Sequence, residues 1–212
     1  MSSKARLSFA SIVSDRDVAE RFLLPSLEAV EEPVQTLLLS NVDNELTTNV
    51  ASLYNVLRHL DGPVLRAFVH PDVTFAGDIV VRLASAVEEL ETAGARWGAL
   101  GIVGRAWDGA YVWCHELDSP APVCTLDSCF MLTRTDLPFA FDAGRFDQFH
   151  CFVEDYCLQC HDSGYGVWVV PASASHDGAT FREHGSRWGR YDRYRKRLDR
   201  KWRKRFPGLT TT

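Results

Sequence analysis

The chain has 212 residues, of which 46% are hydrophobic, 24% charged and 11% aromatic. This composition is typical of a globular chain with a sizeable core, and it excludes wholesale disorder, a collagen and a coiled coil. No apolar run approaches the roughly 20 residues that span a membrane, and no apolar signal segment follows the N-terminus. The sequence therefore predicts a soluble, cytoplasmic protein.

The formal net charge of −5 is divided unevenly along the chain. Residues 1–181 hold 11 Lys and Arg against 25 Asp and Glu, a net charge of −14, whereas residues 182–212 hold 12 against 3, a net charge of +9. We therefore expect a main domain over 1–181 and a basic tail over 182–212. Such a tail fits a polyanionic partner or an anionic membrane surface, and it equally fits docking on its own acidic domain.

Strands and helices alternate in the first half of the chain, as judged from apolar runs and from apolar residues at helical spacing. The predicted strands are 8–13, 34–39, 64–69 and 97–103, and the predicted helices are 17–30, 48–60 and 78–94. This order predicts an α/β fold with a mainly parallel sheet and helices on both faces. Ligands of such sheets bind at the carboxyl ends of the strands. The polar residues at those ends are Ser14, Asp15, Asn41, Asp43, His70 and Asp72.

The second half of the chain is less regular. The predicted elements are a strand over 123–133 that includes Asp127, a helix over 151–161 that carries Glu154 and Asp155, a strand over 167–171 followed by His176, and an amphipathic helix over 187–206. No glycine-rich dinucleotide or P-loop motif follows the first strand, which argues against dinucleotide oxidoreductases and P-loop NTPases.

The six cysteines are expected to be reduced, because no secretory signal accompanies them. Cys157, Cys160 and His161 match the spacing of c-type haem attachment and could contribute to a zinc site. We favour a third interpretation, in which the cysteines are small apolar residues of a buried helix face.

Three residues of the chain could carry chemistry. Asp72 follows an apolar strand, where a carboxylate can bind a hard cation, and His176 could supply a further ligand. Asp155 lies on a helix and could act as a general base. Each residue also has a structural interpretation: a turn or cap for Asp72, the helix dipole for Asp155, and a packing role for His176.

The order of short motifs over residues 8–178 resembles a known family. The motifs are Ser11-Ile12-Val13, Leu53-Tyr54-Asn55, Phe68-Val69-His70-Pro71-Asp72-Val73, Leu126-Asp127-Ser128-Cys129-Phe130-Met131, Phe141-Asp142, Phe149-His150, Glu154-Asp155-Tyr156-Cys157-Leu158, Gly164-Tyr165 and His176. Together they resemble the GT-A-fold glycosyltransferases of the family 2 type, and most closely the small domains first associated with streptomycin biosynthesis. In that group His-x-Asp-Val replaces the usual Asp-x-Asp, as His70 to Val73 do here.

The resemblance implies a transferase that moves a sugar from a nucleotide sugar, expected to be a UDP-sugar, to an acceptor hydroxyl with inversion. Asp72 would bind a divalent metal, Mn²⁺ or Mg²⁺, with His176 as a further ligand and His70 near the metal or the ribose. Asp155 would be the catalytic base, with Glu154 beside it. The implied donor-binding residues are Ser14, Asp15, Asn41, Asp43, Asn55, His70 and Asp127.

The basic tail makes the acceptor the open question. The residues expected to bind the acceptor or another polyanion are Arg187, Arg190, Arg193, Arg195, Lys196, Arg197 and Arg200. We expect a hydroxymethylated base in phage-type DNA, flipped out of the helix. The alternatives are a cell-surface glycan or lipid-linked acceptor, with the tail resting on anionic lipid, and a non-catalytic nucleic-acid-binding protein of the same fold.

Overall fold

A computed structural model describes residues 7–178 and 188–211, with only the backbone of 188–190. The strands are β1 (Leu7–Val13), β2 (Gln35–Ser40), β3 (Leu65–Val69), β4 (Val73–Phe75), β5 (Trp97–Gly101), β6 (Val103–Arg105), β7 (Tyr111–Trp113), β8 (Ala121–Pro122), β9 (Thr125–Leu126), β10 (Phe130–Arg134), β11 (Gly166–Val169) and β12 (Ala174–His176). The helices are α1 (Arg16–Arg21), α2 (Leu23–Glu28), α3 (Val50–His59), α4 (Ile79–Thr92), α5 (Phe152–Asp162) and α6 (Trp188–Trp202).

A seven-stranded sheet with the order β2-β1-β3-β10-β5-β11-β8 forms the centre of the molecule. β1 pairs in parallel with β2 and β3, and β5 pairs in parallel with β11. β10 is antiparallel to both β3 and β5, and β8 is antiparallel to β11. Five of the seven strands therefore run in one direction, and the predicted mainly parallel α/β sheet is confirmed.

The central strand β1 is buried on both faces, whereas the edge strand β2 has only exposed and half-buried residues. Every residue of β1 from Leu7 to Ile12 is buried, including Ser8 and Ser11. A strand with one face in water alternates between buried and exposed residues, whereas one covered on both faces does not. This burial confirms the layered arrangement that the βαβ pattern predicts.

Two predicted elements are divided in the structure. The helix predicted over 17–30 becomes α1 and α2, which meet at Phe22, because Pro25 has no N–H to donate to the carbonyl of Arg21. The strand predicted over 123–133 becomes β9 and β10, because the Asp127 carboxylate accepts the backbone N–H of Cys129 at 2.8 Å and closes a turn. Asp127 therefore lies in a loop and not within a strand.

The C-terminal helix packs on the domain. Tyr194, Leu198 and Trp202 are buried in the common core. Three basic residues of the tail pair with acidic residues of the domain: Arg197 with Asp147 at 2.9 Å, Lys201 with Asp142 at 2.9 Å, and the exposed Arg205 with Asp162 at 2.5 Å. The described part of the tail is thus docked on its own acidic domain.

The tail also keeps basic residues on its outer side. Arg193, Lys196 and Arg200 are exposed, at helical spacing that places them on one stripe. Arg195 pairs with Asp199 at 3.9 Å within the helix. Arg187 lies outside the described residues, and the side chain of Arg190 does too.

All six cysteines are buried free thiols. Burial in the core was the interpretation we favoured for them. None of the helices in the described residues has the length and apolarity that crossing a membrane requires.

The packing of α6 can be tested with Leu198→Ala. We expect this change to lower the free energy of unfolding by about 3 kcal/mol, because it removes a fully buried side chain and leaves a cavity. The exposed Arg200→Ala is the matched control on the same helix and should change stability by less than about 0.5 kcal/mol. Urea denaturation measures both variants, and equal stabilities would contradict the docked arrangement.

Candidate functional site

His70, Asp72 and His176 meet at the carboxyl end of β3. Their ligand-type atoms all lie within 4.8 Å of one another. His176 Nε2 is 3.2 Å from Asp72 Oδ1, and the two imidazole rings are 6.0 Å apart between centroids. The structure therefore brings together the three residues proposed from sequence to lie at or near a metal, although His176 is more than 100 residues away from the other two along the chain.

Strand pairing explains this proximity. β12 pairs antiparallel with β4, so that His176 lies opposite Val73. Just beyond the pair, the N–H of Asp177 donates to the carbonyl of Asp72 at 3.1 Å. On the other side, the N–H of His70 donates to the carbonyl of Cys129 at 2.8 Å, which extends the β3–β10 ladder by one residue. Backbone hydrogen bonds thus fix Asp72 on one side of the cluster and His70 on the other.

The electrostatics of the cluster separate the two histidines. Burial lowers the pKa of His70 despite the attraction of Asp72, so its imidazole is neutral at pH 7. Burial would also lower the pKa of His176, but its hydrogen bond to Asp72 and the charge of that carboxylate outweigh burial, and the pKa is raised. Asp72 itself is 1% exposed. A buried carboxylate beside a protonatable imidazole is a site where a cation can replace a proton.

The donor set of this cluster fits a divalent metal ion. A carboxylate and two imidazoles suit Mn²⁺ better than Mg²⁺, which prefers oxygen ligands. Asp127 and Cys129 form a second such group with His176. Burial raises the pKa of the Cys129 thiol well above its usual range, so the thiol stays protonated and is a poor ligand.

Glu154 and Asp155 are adjacent on α5 but lie in different surroundings. The Asp155 carboxylate is fully buried and accepts hydrogen bonds from Trp202 Nε1 at 2.6 Å, Gln159 Nε2 at 2.9 Å and Lys201 Nζ at 2.9 Å. These contacts anchor α6 on the domain and involve both oxygens of Asp155, whose pKa burial raises. Its role as the base stays a prediction. Lys201, which the sequence reasoning missed, gave no local signal because its partner is 46 residues away.

Glu154 is the second buried carboxyl group of α5. It is 4% exposed. Burial, with the charges of Asp127 and Asp155, raises its pKa to about 8. Asp127 in turn acts electrostatically on both His70 and His176. Glu154 therefore belongs to the same charged environment as the candidate metal ligands.

The expected donor-binding residues lie where the sequence placed them, but several of them hold the backbone. Asp15 caps α1 by accepting the N–H of Val18 at 3.1 Å. The buried Asn41 side chain accepts from Leu46 N and donates to the carbonyl of Thr47, both at 3.0 Å.

Asn55 also has a structural role, because its amide accepts from Phe141 N at 3.0 Å and donates to Phe141 O at 2.8 Å. Ser14 is half-buried and Asp43 is exposed at the ends of β1 and β2. Both residues follow the carboxyl ends of parallel strands, the edge of the sheet at which ligands of such folds bind.

The fold is shared with solved glycosyltransferase structures. GalNAc-T7 with UDP, GalNAc and Mn²⁺ has a TM-score of 0.60 at 8% identity, over 81% of this chain and 43% of that chain. S. aureus TarS 1–349 has a TM-score of 0.55 at 13% identity, over 94% and 73%. Its complex with UDP-GlcNAc has a TM-score of 0.56 at 12% identity, over 91% and 65%.

These similarities confirm the expected GT-A-like fold. The chain spans less than half of the GalNAc-T7 chain. No protein-family profile matches the chain, and no curated protein matches it in sequence. The narrower resemblance to the streptomycin-type domains stays a prediction.

The raised pKa of Glu154 has a consequence for stability. Its folded pKa of about 8 lies above the ordinary value of 4.5, so the folded protein binds more protons than the unfolded chain between these values. Stability should therefore fall as the pH rises from 4.5 to 8, by at most about 1.4 kcal/mol per pH unit from this group. Glu154→Gln should flatten that slope in urea titrations, whereas the exposed Glu89→Gln should not. An unchanged slope would contradict the buried, protonated state of Glu154.

Proposed function

We propose that this protein is a nucleotide-sugar-dependent glycosyltransferase. The observation that carries the proposal is the His70, Asp72 and His176 cluster at the carboxyl end of β3, in a sheet of GT-A-like order. Solved structures with this fold contain UDP and Mn²⁺ in one case and UDP-GlcNAc in another, which supports a UDP-sugar as donor.

His70, Asp72 and His176 would hold a divalent cation, with Mn²⁺ favoured by the two imidazoles. Such a cation neutralises the charge that develops on a departing diphosphate. Ser14 and Asp43, at the ends of the first two strands, would contact the nucleoside. Asp127, beside the cluster, would contact the sugar or the acceptor.

We assign the role of base to Glu154. A base must be unprotonated before it takes the proton of the acceptor hydroxyl. With a pKa of about 8, Glu154 is mostly protonated at pH 7 and loses its proton as the pH rises through 8, so turnover should increase over this range. In the reaction, the acceptor oxygen forms a bond to the anomeric carbon and its proton passes to Glu154. The bond from that carbon to the diphosphate oxygen breaks, and its electron pair leaves with the diphosphate. A single displacement of this kind inverts the anomeric centre.

The donor reaction can be tested by UDP-sugar hydrolysis and transfer in the presence of Mn²⁺. We expect Asp72→Ala and Glu154→Gln to lower turnover about 100-fold or more, with Asp72→Ala also losing Mn²⁺ binding in calorimetry. Asp155→Asn should mainly lower the melting temperature and leave the turnover of the folded protein within about ten-fold, because this residue anchors α6.

Two results would contradict these assignments. Wild-type turnover no greater than that of Asp72→Ala and Glu154→Gln would favour the non-catalytic alternative. Loss of turnover in a folded Asp155→Asn variant, with Glu154→Gln active, would return the base to Asp155.

We propose in addition that the acceptor is a hydroxymethylated base in phage-type DNA. It is supported by the exposed stripe of Arg193, Lys196 and Arg200 on α6. Charges on one helix face can follow the phosphates of a nucleic acid. Arg197, Lys201 and Arg205 form ion pairs with acidic residues of the domain, which reduces the positive charge available to such a partner. Peripheral contact with anionic lipid would use the same stripe, and a cytoplasmic location would suit the DNA acceptor.

The DNA proposal predicts a measurable dependence on salt. Replacing Arg193, Lys196 and Arg200 together with Ala should reduce the slope of log K against log salt by about 2 to 3 for duplex DNA. The control replaces the exposed Arg21, Arg82 and Arg96, which lie elsewhere on the domain. A flat salt dependence for the wild type, or equal losses in both variants, would remove nucleic acid as the partner.

A further inference from the structure

The exposed aromatic residues are concentrated in one short segment. Among the side chains that the structure describes, the large aromatic ones that stand exposed are Trp107, Tyr111 and Trp113. Tyr111 and Trp113 belong to β7, at one edge of the small β7-β6-β9 sheet, and are 46% and 38% exposed. Exposed Trp and Tyr that cluster on a surface usually mark a binding site.

Tyr111, Trp113 and His115 form an aromatic strip. The ring centroids of Tyr111 and Trp113 are 5.7 Å apart with planes at 31°, and those of Trp113 and His115 are 6.0 Å apart at 38°. Strand geometry explains why Tyr111 and Trp113 share one face, because alternate residues of β7 point the same way. Cys114 and His115 belong to the short 3-10 helix that follows, in which Cys114 is buried and His115 exposed.

Contacts with the rest of the domain hold the strip in position. The N–H of Cys114 donates to the carbonyl of Ile102 at 2.8 Å, and the Arg105 guanidinium lies 3.7 Å from the centroid of the Tyr111 ring. Rings that are already ordered lose little conformational freedom on binding. The strip is therefore suited to flat or extended ligands.

The charge around the strip argues against a polyanion. Within 105–118 the charged side chains are Arg105 and three exposed acids, Asp108, Glu116 and Asp118. Arg82 adds one positive charge to the cleft that His115 borders. Such a surface repels phosphates, which would need a basic groove as well as the stacking rings. A neutral sugar has no such conflict, because the C–H face of a pyranose packs on the negative face of an aromatic ring while its hydroxyls stay in water.

The His115 end of the strip borders a cleft that β12 also lines. His115 and Leu117 line a cleft of about 680 Å³ together with Ala174 and Ser175 of β12. β12 ends at His176, a member of the cluster. A chain lying on the strip would thus have one end beside the strand that carries a metal ligand.

We propose that the aromatic strip is an acceptor subsite that binds a neutral carbohydrate chain, with one pyranose face on Trp113 and a second sugar against the part of Tyr111 that Arg105 leaves exposed. This inference rests on the proposed glycosyltransferase function and takes up the glycan alternative for the acceptor, which competes with the DNA acceptor; the salt-dependence experiment on α6 tests the DNA acceptor separately.

The test is binding of neutral oligosaccharides to the full chain, without donor or metal. An array of gluco-, galacto-, manno- and chito-oligosaccharides identifies the best ligand, and calorimetry measures its affinity. We expect the double variant Tyr111→Ala/Trp113→Ala to bind about ten-fold more weakly or not at all, with an unchanged melting temperature. Trp107→Ala is the matched control and should bind like the wild type, because Trp107 packs toward His161 and Phe206 instead.

Several outcomes would overturn the subsite. They are the absence of binding to every oligosaccharide, equal loss in the Trp107→Ala control, loss of oligothymidylate binding in the double variant with no oligosaccharide bound, and a dimer in sedimentation that the double variant converts to a monomer.

UDP-sugar hydrolysis, measured in parallel, separates the two proposals. Hydrolysis without oligosaccharide binding would overturn the subsite alone. Oligosaccharide binding that depends on Tyr111 and Trp113, without hydrolysis, would support the subsite and overturn the transferase.

Discussion

Strand β10 holds the two halves of the molecule together. It is hydrogen-bonded to β3 on one side and to β5 on the other, antiparallel to both. Its Thr133 hydroxyl also contacts the carbonyl of Gly98 at 2.7 Å and the hydroxyl of Tyr156 at 2.9 Å, which ties α5 to the same strand. The turn before β10 supplies the Cys129 carbonyl to His70. The register of this strand therefore sets where the histidine, the Asp127 loop and the carboxyl groups of α5 stand relative to one another.

Much of the fold could be predicted from the sequence, because it depends on local patterns. Apolar runs located the parallel strands, and polar residues after them located the carboxyl edge of the sheet. The pairing of β12 with β4 could not be predicted, because β12 is three residues long and its partner lies about 100 residues earlier. His176 was proposed as a metal ligand because it follows a predicted strand and because the family resemblance implies it, and the structure supplies the physical reason for its position. The division of the predicted helix 17–30 into α1 and α2 follows from Pro25, whose effect on a helix can be predicted from sequence.

The carboxyl pair on α5 shows where sequence reasoning stops. Neighbouring residues of a helix point in different directions, so Glu154 and Asp155 cannot share one environment. Which of them faces the cluster depends on Lys201 and Trp202, whose contacts with Asp155 form only when the C-terminal helix docks. The basic tail is therefore not separate from the candidate site. Its inner face contacts the helix that carries Glu154 and Asp155, while Arg193, Lys196 and Arg200 are exposed on its outer face.

All six thiols are buried, so thiol reagents in solution do not reach them in the folded protein. Burial raises the pKa of Cys129 and Cys157 well above the usual value, so almost no thiolate exists to be alkylated or oxidised in the native protein. The rate at which these thiols are modified would therefore measure how often the structure around them unfolds locally. Because these cysteines lie beside the cluster and along α5, such a gauge would report on the opening of the candidate site itself.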